Sequence, residues 1–375
     1  MSSNLILYST FDSMSLVHKI ALTLIKNIGS RQAKKLLLAF GDAESVFAAK
    51  KNMLLKIEGI GEKTASLILN TDALARAEKE LAFIKKNKIE VLFYTDPDYP
   101  KRLHNCYDAP ILLYFKGKVN FNQKRVVSIV GTRNATPYGK ELCKKLIETL
   151  VCYDVLIVSG LAYGIDVTAH KESLAAKIPT VGVLGHGLDR IYPPLHTDVA
   201  RKMVANGGIL TEFLPGTNPD KENFPKRNRI IAGLCDVLIV VEASSKGGAL
   251  ITADIANSYS RDVYAFPGRV NDEYSAGCNF LIKTNRAGLI NHPRDLIYYL
   301  AWDEGDKKVN VQAQLPLNLT EVEELIVISL KANALDIDEL SHLTNFSQSK
   351  LAMALLTLEI QGVIINLPGK RYQLA

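Results

Sequence analysis

The chain has little of what would mark a stapled, metal-bound or membrane-inserted protein. Its five cysteines, Cys106, Cys143, Cys152, Cys235 and Cys278, are odd in number, scattered and without a Cys-x-x-Cys pair. That usage argues against a disulfide framework and against a zinc site, and fits a reducing cytoplasm. No apolar run approaches the roughly 18 residues that a membrane span needs. Met1-Ser2-Ser3-Asn4 leads into a short apolar stretch without a basic segment or a small-residue cleavage site, so the expectation is a soluble, unprocessed protein with no membrane partner. Charge of one sign is not in large excess either. The formal net charge of +6 permits an acidic partner without requiring one, so the placement of the cations matters more than their sum.

What is present is a change of rhythm along 375 residues, a length that implies two or three domains. Residues 14–85 contain no convincing strand and show helical spacing, which predicts a small helical domain over 1–87. Two similar turns occur in it, around Asn27-Ile28-Gly29 and around Gly59-Ile60-Gly61, each placing a glycine between an apolar residue and a new helix. They resemble helix-hairpin-helix units, whose amides at the following helix start can hold a DNA phosphate; a purely structural hairpin is the alternative. From residue 88 to 302, apolar runs at 91–94, 111–115, 126–130, 155–158, 180–184, 208–210, 237–241 and 263–266 alternate with helix-length segments. This predicts an α/β fold with a doubly wound, mainly parallel sheet. Residues 303–318 are polar and turn-rich and read as a linker. The tail, 319–375, reads as three helices and a two-stranded wing, a winged helix whose second helix of the helix-turn-helix is poor in cations.

Ligands of a parallel sheet collect at the carboxyl ends of its strands. Four small-residue loops fall there: Gly131-Thr132-Arg133, Ser159-Gly160 through Asp166, Gly185-His186-Gly187, and Ser244 through Gly247-Gly248. Such loops let backbone amides approach phosphates, although any fold of this kind also needs glycines to close its turns. Phe224-Pro225-Lys226-Arg227-Asn228-Arg229 precedes Ile230, where a helix is expected to begin. Cations there oppose the helix dipole, a conflict that a bound polyanion removes. Arg227 and Arg229 offer forked donors, Lys221 and Lys226 act as point charges, and Phe224 can stack on a base. The competing reading puts Phe224 in the core and pairs the arginines with Asp220, Glu222 or Asp236. Asp166 and His170, four apart on one helical face, suit a capping Asp that holds a histidine in place better than an acid-base pair. His186 has the same standing, and Glu212 and Glu242 at strand ends can grip a ribose. No nucleophile and no metal spacing accompany them, so no catalytic residue, metal or cofactor is expected.

Several of these motifs, in order and spacing, resemble the DNA processing protein A (DprA, or Smf) family over nearly the whole chain. They are Ser128-Ile129-Val130-Gly131-Thr132-Arg133, Ser159-Gly160 to Asp166 with Ala169-His170, Gly187-Leu188-Asp189 with Tyr192-Pro193, Phe224-Pro225 with Arg227-Asn228-Arg229, Thr252-Ala253 with Ala256, and Phe266-Pro267-Gly268. The resemblance implies a helical domain resembling a sterile alpha motif, an extended Rossmann-like domain and a winged helix. It implies a non-enzymatic binder of single-stranded DNA that protects strands entering during natural transformation and helps load RecA over single-strand-binding protein, acting as a homodimer. Carried onto matching positions, Gly131, Thr132, Arg133 and Lys221 contact phosphate and Phe224 meets a base. Many members have Arg where this chain has Tyr163. Two other functions compete. A nucleotide phosphoribohydrolase of related fold would need P-G-G-x-G-T-x-x-E, whereas Lys246 through Asp254 lacks its Gly-Thr pair and glutamate. A duplex-DNA regulator would use the winged helix.

Overall fold

The computed structural model describes residues 10–302, 319–330, 334–367 and 371–374; the linker expected at 303–318 lies outside them. Packing divides the chain into two compact units, Met1–Trp302 and Asp303–Ala375. The boundary expected at residue 87 therefore falls inside the first unit.

Nine strands form its sheet: β1 (Glu90–Phe93), β2 (Leu112–Lys118), β3 (Arg125–Val130), β4 (Val155–Ser159), β5 (Thr180–Val183), β6 (Gly207–Thr211), β7 (Val237–Val240), β8 (Asp262–Ala265) and β9 (Gly288–Leu289). Their spatial order is β1-β2-β6-β5-β4-β3-β7-β8-β9. From β6 to β9 all neighbours are parallel, and β1 and β2 add an antiparallel edge. The central strands read as unbroken Val/Ile/Leu runs because both faces are covered. Val126 and Val130 face one layer, while Val127 and Ile129 face the other, as a pleat requires. The chain leaves β3 in one direction through β4, β5 and β6 and in the other through β7 and β8. The switch point, where a crevice opens at the strand ends, thus lies at β3 and β7.

The helices preceding the sheet are α1 (Thr10–Leu24), α2 (Ser30–Phe40), α3 (Ala43–Ala48), α4 (Lys51–Leu54), α5 (Glu62–Leu69) and α6 (Ala73–Asn87). The two suspected hairpins have matching backbones. Gly59 (φ 85°) and Asn27 (φ 62°) both occupy the left-handed region, and Gly29 and Gly61 both sit extended as the N-caps of α2 and α5. Asn replaces Gly in the first copy because its short polar side chain tolerates that region better than most. The helical layer shares its core with the first sheet hairpin. Phe93, Leu112 and Tyr114 point into the helices, while Leu92, Leu113 and Phe115 point into the sheet's own core.

Further along come α7 (Lys101–His104), α8 (Pro137–Leu150), α9 (Ile165–Ala175), α10 (Thr197–Ala205), α11 (Asn223–Leu234), α12 (Gly248–Ser258), α13 (Ala276–Lys283) and α14 (Pro293–Tyr299). One expectation is corrected here: α11 begins at Asn223, not Ile230, so the cationic segment is its first two turns. Pro225 is tolerated because first-turn N–H groups have no helical acceptor anyway.

The second unit contains helices Glu321–Ser329, Ile337–Thr344 and Gln348–Ile360 and a three-stranded sheet of Leu335–Asp336, Arg371–Leu374 and Ile364–Leu367, in that order. Capping boxes Thr320/Glu323 and Asp336/Glu339 start its first two helices. Ile326, Leu340, Leu351, Leu355 and Leu358 fill its core, giving the winged-helix arrangement. Among the described residues no helix is long and apolar enough to cross a membrane.

Candidate nucleic-acid interface

The loop after β3 is fixed by its backbone. Thr132 N–H donates to the Glu242 carbonyl at 2.7 Å, and Ile165 N–H donates to the Thr132 carbonyl at 3.1 Å. Gly164 (φ 76°) lies under this loop, where a Cβ would sit 2.1 Å from the Thr132 carbonyl oxygen. Arg133 is thereby held at the carboxyl edge of the sheet with its side chain exposed.

Facing it, the start of α11 sorts its cations by helical geometry. Phe224, Arg227 and Asn228 fall on one face through their i, i+3 and i+4 spacing, whereas Arg229, two residues from Arg227, points the opposite way. The guanidinium carbons of Arg133 and Arg227 lie 5.4 and 5.9 Å from the Phe224 ring centroid. Between these walls runs an open cleft of about 730 Å³. Gly131, Thr132 and Arg133 line one side, Lys221, Phe224 and Arg227 another, and Lys246, Gly247 and Gly248 at the N-terminus of α12 a third.

The cations of this cleft are poor in partners. Arg133, Lys221 and Lys246 make no ion pair with a described residue, while Lys19, Arg102, Arg190, Arg201, Arg229 and Arg286 each have a carboxylate within 3 Å. Arg227 is buried, and its contact with Asp166 Oδ2 is loose, at 3.8 Å. Its Nε has no hydrogen-bond partner among the described residues. Burial pushes the Arg227 pKa down and the Asp166 pKa up, and each partner's charge opposes the other's shift. Two guanidiniums beside one ring, with a single loosely held carboxylate, leave this wall short of negative charge.

Three residues expected at the interface are placed elsewhere. Arg229 is tied to the Glu212 carboxylate and donates to the Asp108 carbonyl. Lys226 is exposed but outside the cleft lining. Gly160 is buried beneath Arg227 and Asp166, and a Cβ there would sit 2.1 Å from an Arg227 nitrogen. Its glycine serves close packing, and its backbone is not presented to the cleft. The carboxylates anticipated for the arginines, Asp220, Glu222 and Asp236, are not their partners; Asp236 instead binds Arg102 at 2.6 Å.

The expected acid-base and ribose groups also have other duties. Asp166 contacts Arg227 and does not hold His170. The His170 ring lies between the Gly160 carbonyl and the Thr180 hydroxyl. Since a carbonyl only accepts, Nε2 carries the proton and Nδ1 accepts from Thr180 at 2.7 Å. Burial brings the His170 pKa down to about 4. His186 donates from Nδ1 to the Gly187 carbonyl and accepts the Tyr192 N–H at Nε2. Glu242 accepts both the N–H and the hydroxyl of Thr136 at the start of α8. Sequence reasoning passed over Asn134, whose amide reaches the Tyr274 hydroxyl at 3.1 Å across the cleft rim; Asn228, quoted in a motif without a role of its own, donates to the Gly248 carbonyl at 3.4 Å. Tyr192 also lines the cleft; its place in a quoted motif was the signal available.

Comparison with known proteins gives a consistent picture. The family model for DNA recombination-mediator protein A matches residues 90–301, that for a DprA winged helix domain matches 311–370, and that for a SAM-like helix-hairpin-helix tandem matches 19–71. The protein Smf of Synechocystis is 32% identical over 93% of this chain and 96% of its own length. The DNA processing protein DprA of Streptococcus pneumoniae is 40% identical over 54% of this chain and 71% of its own. The solved structure of DprA from Streptococcus pneumoniae superposes with a TM-score of 0.65 and 33% identity over 75% of this chain and 97% of that one. A structure of the Helicobacter pylori DNA processing protein A, concerned with its single-stranded DNA binding mode, gives 0.53 and 31% over 58% of this chain and 97% of that one.

Proposed function

Since the chain belongs to the DNA recombination-mediator protein A family, we propose that it binds single-stranded DNA in the cleft at the β3 and β7 strand ends. The observation that carries this reading is the set of cleft cations, Arg133, Lys221 and Lys246, that make no ion pair among the described residues, with Arg227 buried and incompletely bonded beside Phe224. In this reading Arg133, Lys221 and Lys246 neutralise successive phosphates, and the amides near Gly131, Gly247 and Gly248 assist them. Phe224 stacks on a base, and Arg227 braces the ring and supplies charge from below. Phosphate contact and stacking are indifferent to sequence, so base preference is weak.

The protein acts as a binder rather than a catalyst. That reading is supported by the structural bonds that occupy His170, His186, Glu212 and Glu242. Release of base from nucleoside monophosphates would overturn it. Family membership supports a role in natural transformation, in the cytoplasm, with transfer of the strand to RecA in the presence of single-strand-binding protein. A second copy of the chain fits the far edge of the sheet, where β9 has only two residues and Phe280, Leu289, Tyr298 and Tyr299 are exposed. Titration of labelled oligothymidine at several salt concentrations tests the cleft. Arg133→Ala should weaken binding about ten-fold or more and make the salt dependence shallower by about 0.7 in logarithmic slope, and unchanged affinity would remove the site. Accelerated RecA filament formation on coated single strands tests the downstream role.

A further inference from the structure

Beyond Phe224 the cleft does not end. A smaller recess of about 50 Å³ opens from it, sharing Arg133, Ala162, Tyr192, Phe224 and Arg227 as common walls. Its floor is apolar, made by the buried Leu161 and Leu184. Its mouth is set by two exposed rings, Tyr163 at 45% and Tyr192 at 44% exposure.

Both rings have fixed supports. Tyr163 lies edge-on to His196, with centroids 5.1 Å apart, and His196 is buried and bonded through Nδ1 to the Leu161 carbonyl. Tyr192 is anchored by its backbone N–H on His186, and its ring centroid lies 6.3 Å from that of Phe224. Neither phenol hydroxyl makes a hydrogen bond with a described residue. Two large rings left open to solvent, braced by buried histidines and contiguous with a cationic cleft, make a surface suited to stacking.

We propose that Tyr163 and Tyr192 form a second base-stacking subsite, so that a strand bound in the cleft lays one nucleobase on Phe224 and a further one across the mouth of this recess. At about 50 Å³ the recess has room for a few waters but not for a whole base, so it receives the edge of the base while the base's face rests on a tyrosine ring. This inference rests on the reading of the cleft as a single-strand site.

The test uses the full-length protein and oligothymidines of increasing length, with 5-iodouracil placed at each position for photocrosslinking and peptide mapping. Crosslinks are expected at Tyr163 or Tyr192 from one nucleotide and near Phe224 from another. Affinity should rise in a step when the oligomer becomes long enough to reach the recess. Tyr163→Ala and Tyr192→Ala should each abolish that step, weakening longer oligomers about five-fold or more, while Tyr163→Phe retains it. Crosslinking at Phe224 alone, or a step that survives in Tyr163→Ala, overturns the subsite and leaves the cleft intact. Failure of the unsubstituted protein to bind any oligothymidine overturns the cleft reading itself.

Discussion

Arg227 and Arg229 are two residues apart and carry the same group, yet the helix turns them to different tasks. Arg227 leans over Phe224 with an Nε that has no partner among the described residues, whereas Arg229 is clamped by the half-buried Glu212, whose other oxygen has no hydrogen-bond partner among them either. Removing Arg229 would strand that carboxylate. Arg229→Ala should therefore lower stability by about 3 to 5 kcal/mol, measured by chemical denaturation, while Arg133→Ala leaves the melting temperature unchanged and affects only DNA binding. Equal destabilisation by the two substitutions would contradict this division. His170 gives a pH dependence. Its folded pKa is depressed to about 4 from an ordinary 6.5, so its contribution is present above pH 6.5 and is lost as pH falls through the folded value. Between pH 6.5 and 4 the wild type should lose up to roughly 3 kcal/mol more than His170→Gln does; parallel curves for the two proteins would show that the histidine is not buried as described.

At the level of elements, the start of α12 shows what its glycines are for. Gly247 is extended, and a Cβ on Gly247 or Gly248 would meet nothing closer than 3.6 Å. Neither position demands glycine for its backbone or its packing, so the missing side chain keeps the cleft wall open. Gly247→Val should leave the melting temperature unchanged or slightly raised and reduce oligothymidine affinity; a variant that binds normally would show that the strand does not approach this helix end. The strand elements were legible because central strands covered on both faces are continuous apolar runs, and all eight anticipated runs became strands. The two-residue β9 carries no such run. The start of α11 was misplaced because Phe224 through Arg229 has no apolar periodicity, only the backbone freedom of a first turn. The four glycine loops were legible from their place after strands. Which cations remain unpaired was not, because Asp166 and Glu212 lie far from Arg227 and Arg229 in sequence.

On the scale of the whole molecule, every residue assigned to the cleft belongs to the unit Met1–Trp302. The tail differs in character: residues 319–375 hold seven Asp and Glu against four Lys and Arg, and its third helix exposes Met353, Leu356 and Ile360. An acidic unit with an apolar third helix is ill suited to reading a duplex groove. A chain ending at residue 302 should retain oligothymidine affinity within about two-fold, because phosphate neutralisation sets that affinity; a larger loss would bring the tail into the interface. The sheet's first hairpin carries a different consequence. Its residues supply alternate side chains to two cores, with Phe93, Leu112 and Tyr114 closing the helical layer. During synthesis the first ninety residues leave the ribosome with that layer still open on one side. It can finish packing only after β2 has emerged as well, so the amino-terminal helices wait on the sheet rather than folding ahead of it.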